Sequence, residues 1–283
     1  MDGRENPKPR KLAEMKELEK LKNLPRTENR MPVLFIGHGN PMYGIEENDF
    51  TRGWQKSIEN LPKPKAILVV SAHWETRGTR ITSMRKPRVI YDFGGFPQAL
   101  FEAEYAAKGS PEIAKEVAEN LKQKLIELDE TWGLDHGTWT VLRHLYPNAD
   151  VPVLQLSIDY TKPASFHYEL AKELLFLRDR GVLIIGSGNM VHNLRQINFR
   201  AAQHHDWAIS ANEKFKNLIS AGEHDKLIRY EALGNDVALA IPTAEHFLPL
   251  IYALALKTEG EPLEIFNDAI DLGSISMTSM KIG

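Results

Sequence analysis

The sequence predicts an α/β fold, a three-layer α/β/α sandwich around a central, mostly parallel (mixed) sheet. Three observations carry this. From Met31 onward, strand-like and helix-like segments alternate along the chain, the order that gives a sheet covered by helices. The strand-like segments, such as Val33-Leu34-Phe35-Ile36 and Ile67-Leu68-Val69-Val70, are unbroken apolar runs, as strands buried on both faces are. Four of these runs lead into polar turns that carry His38, His73, His192 and His246. Loops beyond the carboxyl ends of parallel strands are where such sheets build ligand sites.

Taken in order, strands are predicted at 32–36, 66–71, 151–157, 182–186 and 237–241, and helices at 111–127, 163–179, 208–220 and 244–256. Ser110-Pro111-Glu112 is a helix start, with Ser as N-cap and Pro in the first turn. Thr243 is read the same way, as the cap of a helix beginning beside His246. In the tail, Ile275 and Met277 alternate with Ser274, Ser276 and Thr278, and Met280 and Ile282 follow out of phase. That pattern predicts a closing strand with a slip, placed as an antiparallel edge. Residues 31–283 are read as one domain. Residues 1–30 form a charged N-terminal extension in which Leu12, Met15, Leu18 and Leu21 mark a short amphipathic helix.

Composition narrows the function. A formal charge of −3 over 283 residues gives no reason to invoke nucleic acid or an anionic membrane. There is no cysteine, so disulfides, thiol catalysis and Fe–S clusters are excluded and any metal must take nitrogen and oxygen ligands. The longest apolar run, Leu248 to Leu256, is too short to span a bilayer. No apolar leader stands at the N-terminus, so a cytoplasmic location is the expectation.

The histidines are the main functional signal. Gly37-His38-Gly39-Asn40-Pro41 sets an imidazole between two glycines, which permit a sharp turn and leave the ring open to a ligand. Ser71-Ala72-His73-Trp74 places small residues beside a strand-end histidine; a core histidine bonded to a carbonyl fits that segment equally well. Gly186-Ser187-Gly188-Asn189 is glycine-rich but has neither a Walker lysine nor a Gly-x-Gly-x-x-Gly spacing. It is better read as placing His192 than as a phosphate cradle. Glu245-His246 offers either a metal-binding carboxylate or a first-turn acid complementing a helix dipole, and the dipole reading asks less. Asp135-His136-Gly137 is a fifth motif, suited to a general acid/base or to a plain helix-capping loop. Asn40, Trp74 and Phe96, with Phe93 and Trp139, are candidates for the wall of a pocket for a planar substrate. Asp92-Phe93-Gly94-Gly95-Phe96-Pro97 reads as a turn that can cover it.

Gly37-His38-Gly39-Asn40-Pro41-Met42, Ser71-Ala72-His73-Trp74, Asp92 to Pro97, Gly133-Leu134-Asp135-His136-Gly137, Gly188 to Leu194 and Pro242-Thr243-Ala244-Glu245-His246 occur in this order. Together they resemble the class III (LigB-type) extradiol ring-cleavage dioxygenases, most closely their 4,5-DOPA extradiol branch, from about Met31 to the C-terminus. The resemblance implies a LigB-like fold and a non-haem metal enzyme that inserts O2 into a catechol and opens the ring beside the diol. It implies Fe(II) in activity and Zn(II) as an ion of the isolated protein. It implies His38, His73, His192 and His246 as metal ligands and His136 and His192 as catalytic acid/base groups. His246 stands where the wider superfamily has a glutamate ligand, a departure this branch shares. The expected partners are a small catechol and O2. Two other readings of four converging imidazoles are a zinc hydrolase and a non-catalytic metal-binding module.

Overall fold

The computed structural model describes residues 30–121, 125–199 and 204–283; the predicted helix at Leu12–Leu21 lies outside them. In chain order the strands are β1 (Val33–Gly37), β2 (Ala66–Thr76), β3 (Thr79–Thr82), β4 (Ile126–Asp129), β5 (Val153–Asp159), β6 (Val182–Gly188), β7 (Leu263–Phe266), β8 (Ile270–Asp271), β9 (Ile275–Ser276) and β10 (Ser279–Ile282). The α-helices are α1 (Asp49–Ile58), α2 (Gln98–Phe101), α3 (Pro111–Asn120), α4 (His136–Leu145), α5 (Ala164–Glu173), α6 (Leu175–Asp179), α7 (Asp206–Ser220), α8 (His224–Ile228), α9 (Asn235–Ala240) and α10 (Leu248–Ala255).

The main sheet has the order β4-β3-β5-β2-β6-β1-β10-β7. Its centre, β5-β2-β6-β1, is parallel, while β10 runs antiparallel to both β1 and β7. The apolar runs are unbroken because each strand feeds two cores. Val33 and Phe35 of β1, Leu68 and Val70 of β2, and Ile184 of β6 face one core with α3, α5, α7 and α10. Leu34, Ile36, Ile67, Val69, Leu183 and Ile185 face the other, under Trp54 of α1 and Trp139 and Leu142 of α4. This is the three-layer sandwich the sequence predicts, and the period-2 alternation of a strand is its cause.

Four local expectations are corrected. The segment 237–241 is not a strand: α9 covers 235–240, and Val237 and Ala240 are buried while Ala238 and Leu239 are exposed. Burial at i and i+3 makes it a one-sided surface helix, which periodicity in so short an apolar run does not separate from a strand. The helix expected at 111–127 stops at Asn120, and β4 begins at Ile126. Thr243 caps nothing, because α10 starts only at Leu248 and 241–247 is a turn; the Thr243 hydroxyl donates to Glu245 instead. The closing strand β10 lies between β1 and β7, so the sheet edge there is β7. Ser110 does cap α3, accepting from Ile113 N–H at 3.4 Å, with Pro111 in the first turn.

Candidate metal centre and active site

The carboxyl ends of β1, β2 and β6 bring their histidines to one rim, and α4 and the turn before α10 complete it. His38 follows β1 directly. His73 lies inside β2, which continues beyond its predicted end and shifts register between Val70 and Glu75. Such an irregularity re-aims a side chain, and His73 faces the rim while Trp74 faces away. His192 follows β6; its N–H donates to the carbonyl of Ala240 at the end of α9 (2.9 Å), and it bridges to Ile275. Gly188 sits against the His246 carbonyl, where an added Cβ would come within 2.2 Å of that oxygen, and Asn189 N–H donates to the same carbonyl at 2.8 Å. Gly186 and Gly188 are thus not a turn, as their composition suggested, but the end of β6, where the missing Cβ atoms make room for the His246 and Pro249 carbonyls.

The imidazoles are oriented from behind. Ser187 donates its hydroxyl to the Gly137 carbonyl at 2.5 Å, so it accepts from His38 Nδ1–H at 3.1 Å. Asp92 lies 3.3 Å from His73 Nδ1 and 2.9 Å from His136 Nδ1, and also accepts the His136 backbone N–H at 2.9 Å. Glu245 Oε1 accepts from His246 Nδ1 at 3.0 Å. With each Nδ1 carrying its proton, each Nε2 keeps a lone pair turned inward. His38 Nε2 and His73 Nε2 stand 3.0 Å apart, and the buried His246 Nε2 has no hydrogen-bond partner. Two lone pairs so close, beside an orphaned third, fit a cation between them. Two nitrogens bound at about 2.1 Å to one ion, at a right angle, have that separation. A carboxylate or hydroxyl holding the far nitrogen is the usual support of a metal-binding imidazole.

Among the described residues, the donor atoms of His38, His73 and His136 lie within 4.8 Å of one another, and so do those of His192, Glu245 and His246. The His73 and His136 rings approach to 3.9 Å between centroids, and His192 stacks on His246 at 3.5 Å with 9° between planes. Burial, and then the neighbouring imidazoles, hold His38 and His246 well below the ordinary histidine pKa; burial does the same to His73 against the pull of Asp92. Burial and His136 push His192 down to about 4. Asp92 is pushed up by burial, but its bonds to His136 and the charge of the rings outweigh this and leave its carboxyl below the usual range.

Behind the rim, Asp135 does not touch the His136 ring. It accepts from Ser71 (2.7 Å) and from the Gln155 amide (2.6 Å), and it stays buried with its pKa raised by desolvation. Asp135 thus ties β2, β5 and the start of α4 together.

The rim opens on a cavity of about 540 Å³ lined by all five histidines, Asp92, Asn40, Phe93 and Phe96, with Leu194, Ile197, Phe199, Leu272 and Ile275 on its apolar side. Asn40 spends its side-chain oxygen on Met42 N–H at 3.0 Å. Two wall candidates fall elsewhere. Trp74 lies on the opposite face of β2 and stacks on Trp132 at 5.7 Å and 3°; neighbours along a strand point to opposite sides. Trp139 is fully buried and donates to the Ile90 carbonyl at 3.1 Å. Glu245 has no helix dipole to complement, since α10 begins three residues later; it orients His246.

Sequence reasoning missed the orienting roles of Asp92 and Ser187. Both had a signal, an acid and a hydroxyl at strand or turn ends beside the histidine motifs, but only the fold shows which ring each one meets. Leu194, Ile197 and Leu272 carried none.

The chain matches the family described as the catalytic LigB subunit of aromatic ring-opening dioxygenase over residues 32–276. It is 47% identical to the 4,5-DOPA dioxygenase extradiol of Escherichia coli (strain K12), over 93% of this chain and 98% of that protein. It is 36% identical to the 4,5-DOPA dioxygenase extradiol of Beta vulgaris, over 90% of this chain and 97% of that one. A crystal structure of an uncharacterized Escherichia coli K12 protein superposes with a TM-score of 0.79 at 43% identity, covering 90% of this chain and all of that one.

Proposed function

The chain belongs to the LigB family of aromatic ring-opening dioxygenases, in the branch of the 4,5-DOPA extradiol enzymes, and on that premise we propose how its residues divide a metal-dependent cleavage of a catechol by O2. His38, His73 and His246 would hold the ion. The observation supporting this is the convergence of His38 Nε2 and His73 Nε2 at 3.0 Å beside the unpartnered His246 Nε2, with each Nδ1 facing Ser187, Asp92 or Glu245. The ion would be Fe(II), which would supply the one-electron chemistry that O2 needs to react with a spin-paired ring. Zn(II), a d10 ion without redox chemistry, can fill the same nitrogens but not that role.

The remaining groups handle protons and the ring. His192, neutral at pH 7 and lining the cavity, accepts a proton from a catechol hydroxyl and is the reserve fourth nitrogen beside His246. His136, held through Nδ1 and its backbone N–H by Asp92, presents Nε2 as the second proton carrier. Phe93 meets His136 edge-on at 5.6 Å and packs on Phe96, forming an apolar wall that orients a planar ring and limits water. Among the described residues no helix is long and apolar enough to cross a membrane.

The test is anaerobic reconstitution with Fe(II), followed by aerated L-DOPA or 4-methylcatechol. The expected result is one O2 consumed per yellow ring-opened product, and none with Zn(II) alone. No oxygen uptake with any catechol, or turnover of an aryl ester by zinc-loaded protein instead, would replace this reading with the hydrolase.

A further inference from the structure

The cavity at the histidine rim takes part of its wall from the β8–β9 hairpin, which supplies Leu272 and Ile275. One side of that hairpin is tied to the segment carrying His192. His192 bridges to Ile275, Asn193 N–H donates to the Ser274 carbonyl at 3.2 Å, and the Ser274 hydroxyl donates to the Asn193 carbonyl at 2.9 Å. The other side reaches the loop that follows His38. There the Tyr43 hydroxyl donates to Asp271 Oδ2 at 2.6 Å. Burial, and then this bond, raise the hydroxyl above its ordinary pKa, so it stays a donor.

Tyr43 is itself held in place. It belongs to the 3-10 turn Pro41–Gly44, where its N–H donates to the Asn40 carbonyl at 2.9 Å. From the last turn of α4, His144 Nε2 donates to the Tyr43 carbonyl at 2.6 Å, and Arg143 Nε donates to the Gly44 carbonyl at 3.0 Å. The helix that presents His136 at its start thus supports Tyr43 at its end.

Asp271 passes this position on to one residue. While Oδ2 accepts from Tyr43, Oδ1 accepts from the Leu272 N–H at 2.9 Å. Leu272 has φ 47°, a region that a leucine enters only at a cost. Such strain persists where the surroundings over-determine it. Here the Asp271 carboxylate holds the Leu272 N–H, and the Asn198 N–H holds the Leu272 carbonyl at 2.9 Å.

We propose that Tyr43 and Asp271 are positioning residues for the substrate: they hold Leu272 in its left-handed conformation as a wall of the cavity, where its side chain packs on the bound catechol. Both act through Leu272, so their effect falls on binding and not on the chemical step. The proposal rests on the ring-opening reading of the same cavity.

Two measurements test it. The first needs no turnover: spectrophotometric titration of the Zn(II)-loaded protein with 4-nitrocatechol. Tyr43→Phe and Leu272→Ala should each weaken binding by about fivefold, the scale of one lost hydrogen bond. The double variant should bind no more weakly than Leu272→Ala alone, because the two changes act through one side chain. Asp271→Asn, whose amide can accept from Leu272 N–H and donate to the Tyr43 oxygen, should bind as wild type does, and Asp271→Ala should match Tyr43→Phe. The second measurement is steady-state turnover of L-DOPA by the Fe(II)-loaded enzyme. Tyr43→Phe should raise KM by a similar factor and leave kcat within about twofold. Unchanged binding in Tyr43→Phe or Leu272→Ala, fully additive losses in the double variant, or no binding to the wild type overturns the proposal. If the binding pattern holds but no catechol is opened, the positioning stands and the ring-opening reading alone fails.

Discussion

Ser187 fixes the tautomer of His38. Its hydroxyl proton is committed to the Gly137 carbonyl at 2.5 Å, so at 3.1 Å it can only accept from His38 Nδ1–H, and the His38 Nε2 lone pair faces the cavity. Ser187→Ala removes that constraint with a small loss of volume. It is expected to weaken metal binding by about 10- to 100-fold, the usual cost of losing such a partner, without unfolding the protein. Competition with a chromogenic chelator reads this directly. Wild-type affinity in the variant would mean that Ser187 serves packing alone.

The roles of the histidines separate by metal content. His38→Ala and His73→Ala should lose stoichiometric metal, because each removes an anchored inward Nε2. His136→Ala should retain the ion and lose turnover, even though its donor atom lies close to those of His38 and His73. Mass spectrometry of the purified proteins decides: equal metal in all three variants refutes the division of labour, and metal loss in His136→Ala moves that residue into the ligand set.

Acid should destabilise the metal-free protein well before its surface carboxylates titrate. His38, His73 and His246 are held well below the ordinary histidine pKa, and His192 at about 4. Below about pH 6.5 the unfolded chain takes up protons on these rings while the folded chain does not, so folded stability falls as pH drops. The slope is up to about 1.4 kcal/mol per pH unit for each ring. Asp135 and Glu75, raised by burial, work in the opposite direction but are two groups against these four rings. Urea midpoints of metal-free protein at pH 7.5 and 5.5 should therefore differ strongly, with the lower at pH 5.5. Coincident midpoints would contradict the burial of these imidazoles.

Gly188→Ala probes the packing that sets His246. A Cβ there would lie 2.2 Å from the His246 carbonyl oxygen, a backbone atom that must move to admit it. The expected cost is about 1–3 kcal/mol of stability, as for overpacking elsewhere, together with weakened metal binding. Thermal unfolding and chelator competition check both, and a variant with unaltered stability and affinity would show that this turn yields freely.

Much of this molecule was legible in the sequence, because the signals were local. Unbroken runs such as Val33–Ile36 and Leu183–Ile185 specify strands buried on both faces, and the glycines on either side of His38 mark a strand end that exposes an imidazole. Those features determined the α/β sandwich and the identity of the histidines at its rim. Tertiary structure decided what depends on partners distant in sequence. Whether 237–241 is helix or strand turned on which side chains found a core. Trp74 left the candidate wall because β2 carries it to the face opposite His73. The proton on each Nδ1 was assigned by Ser187, Asp92 and Glu245, and the first two lie far from their rings along the chain. A side chain's type is written in one position, but its tautomer, charge and direction are set by the atoms that folding brings within about 3 Å of it.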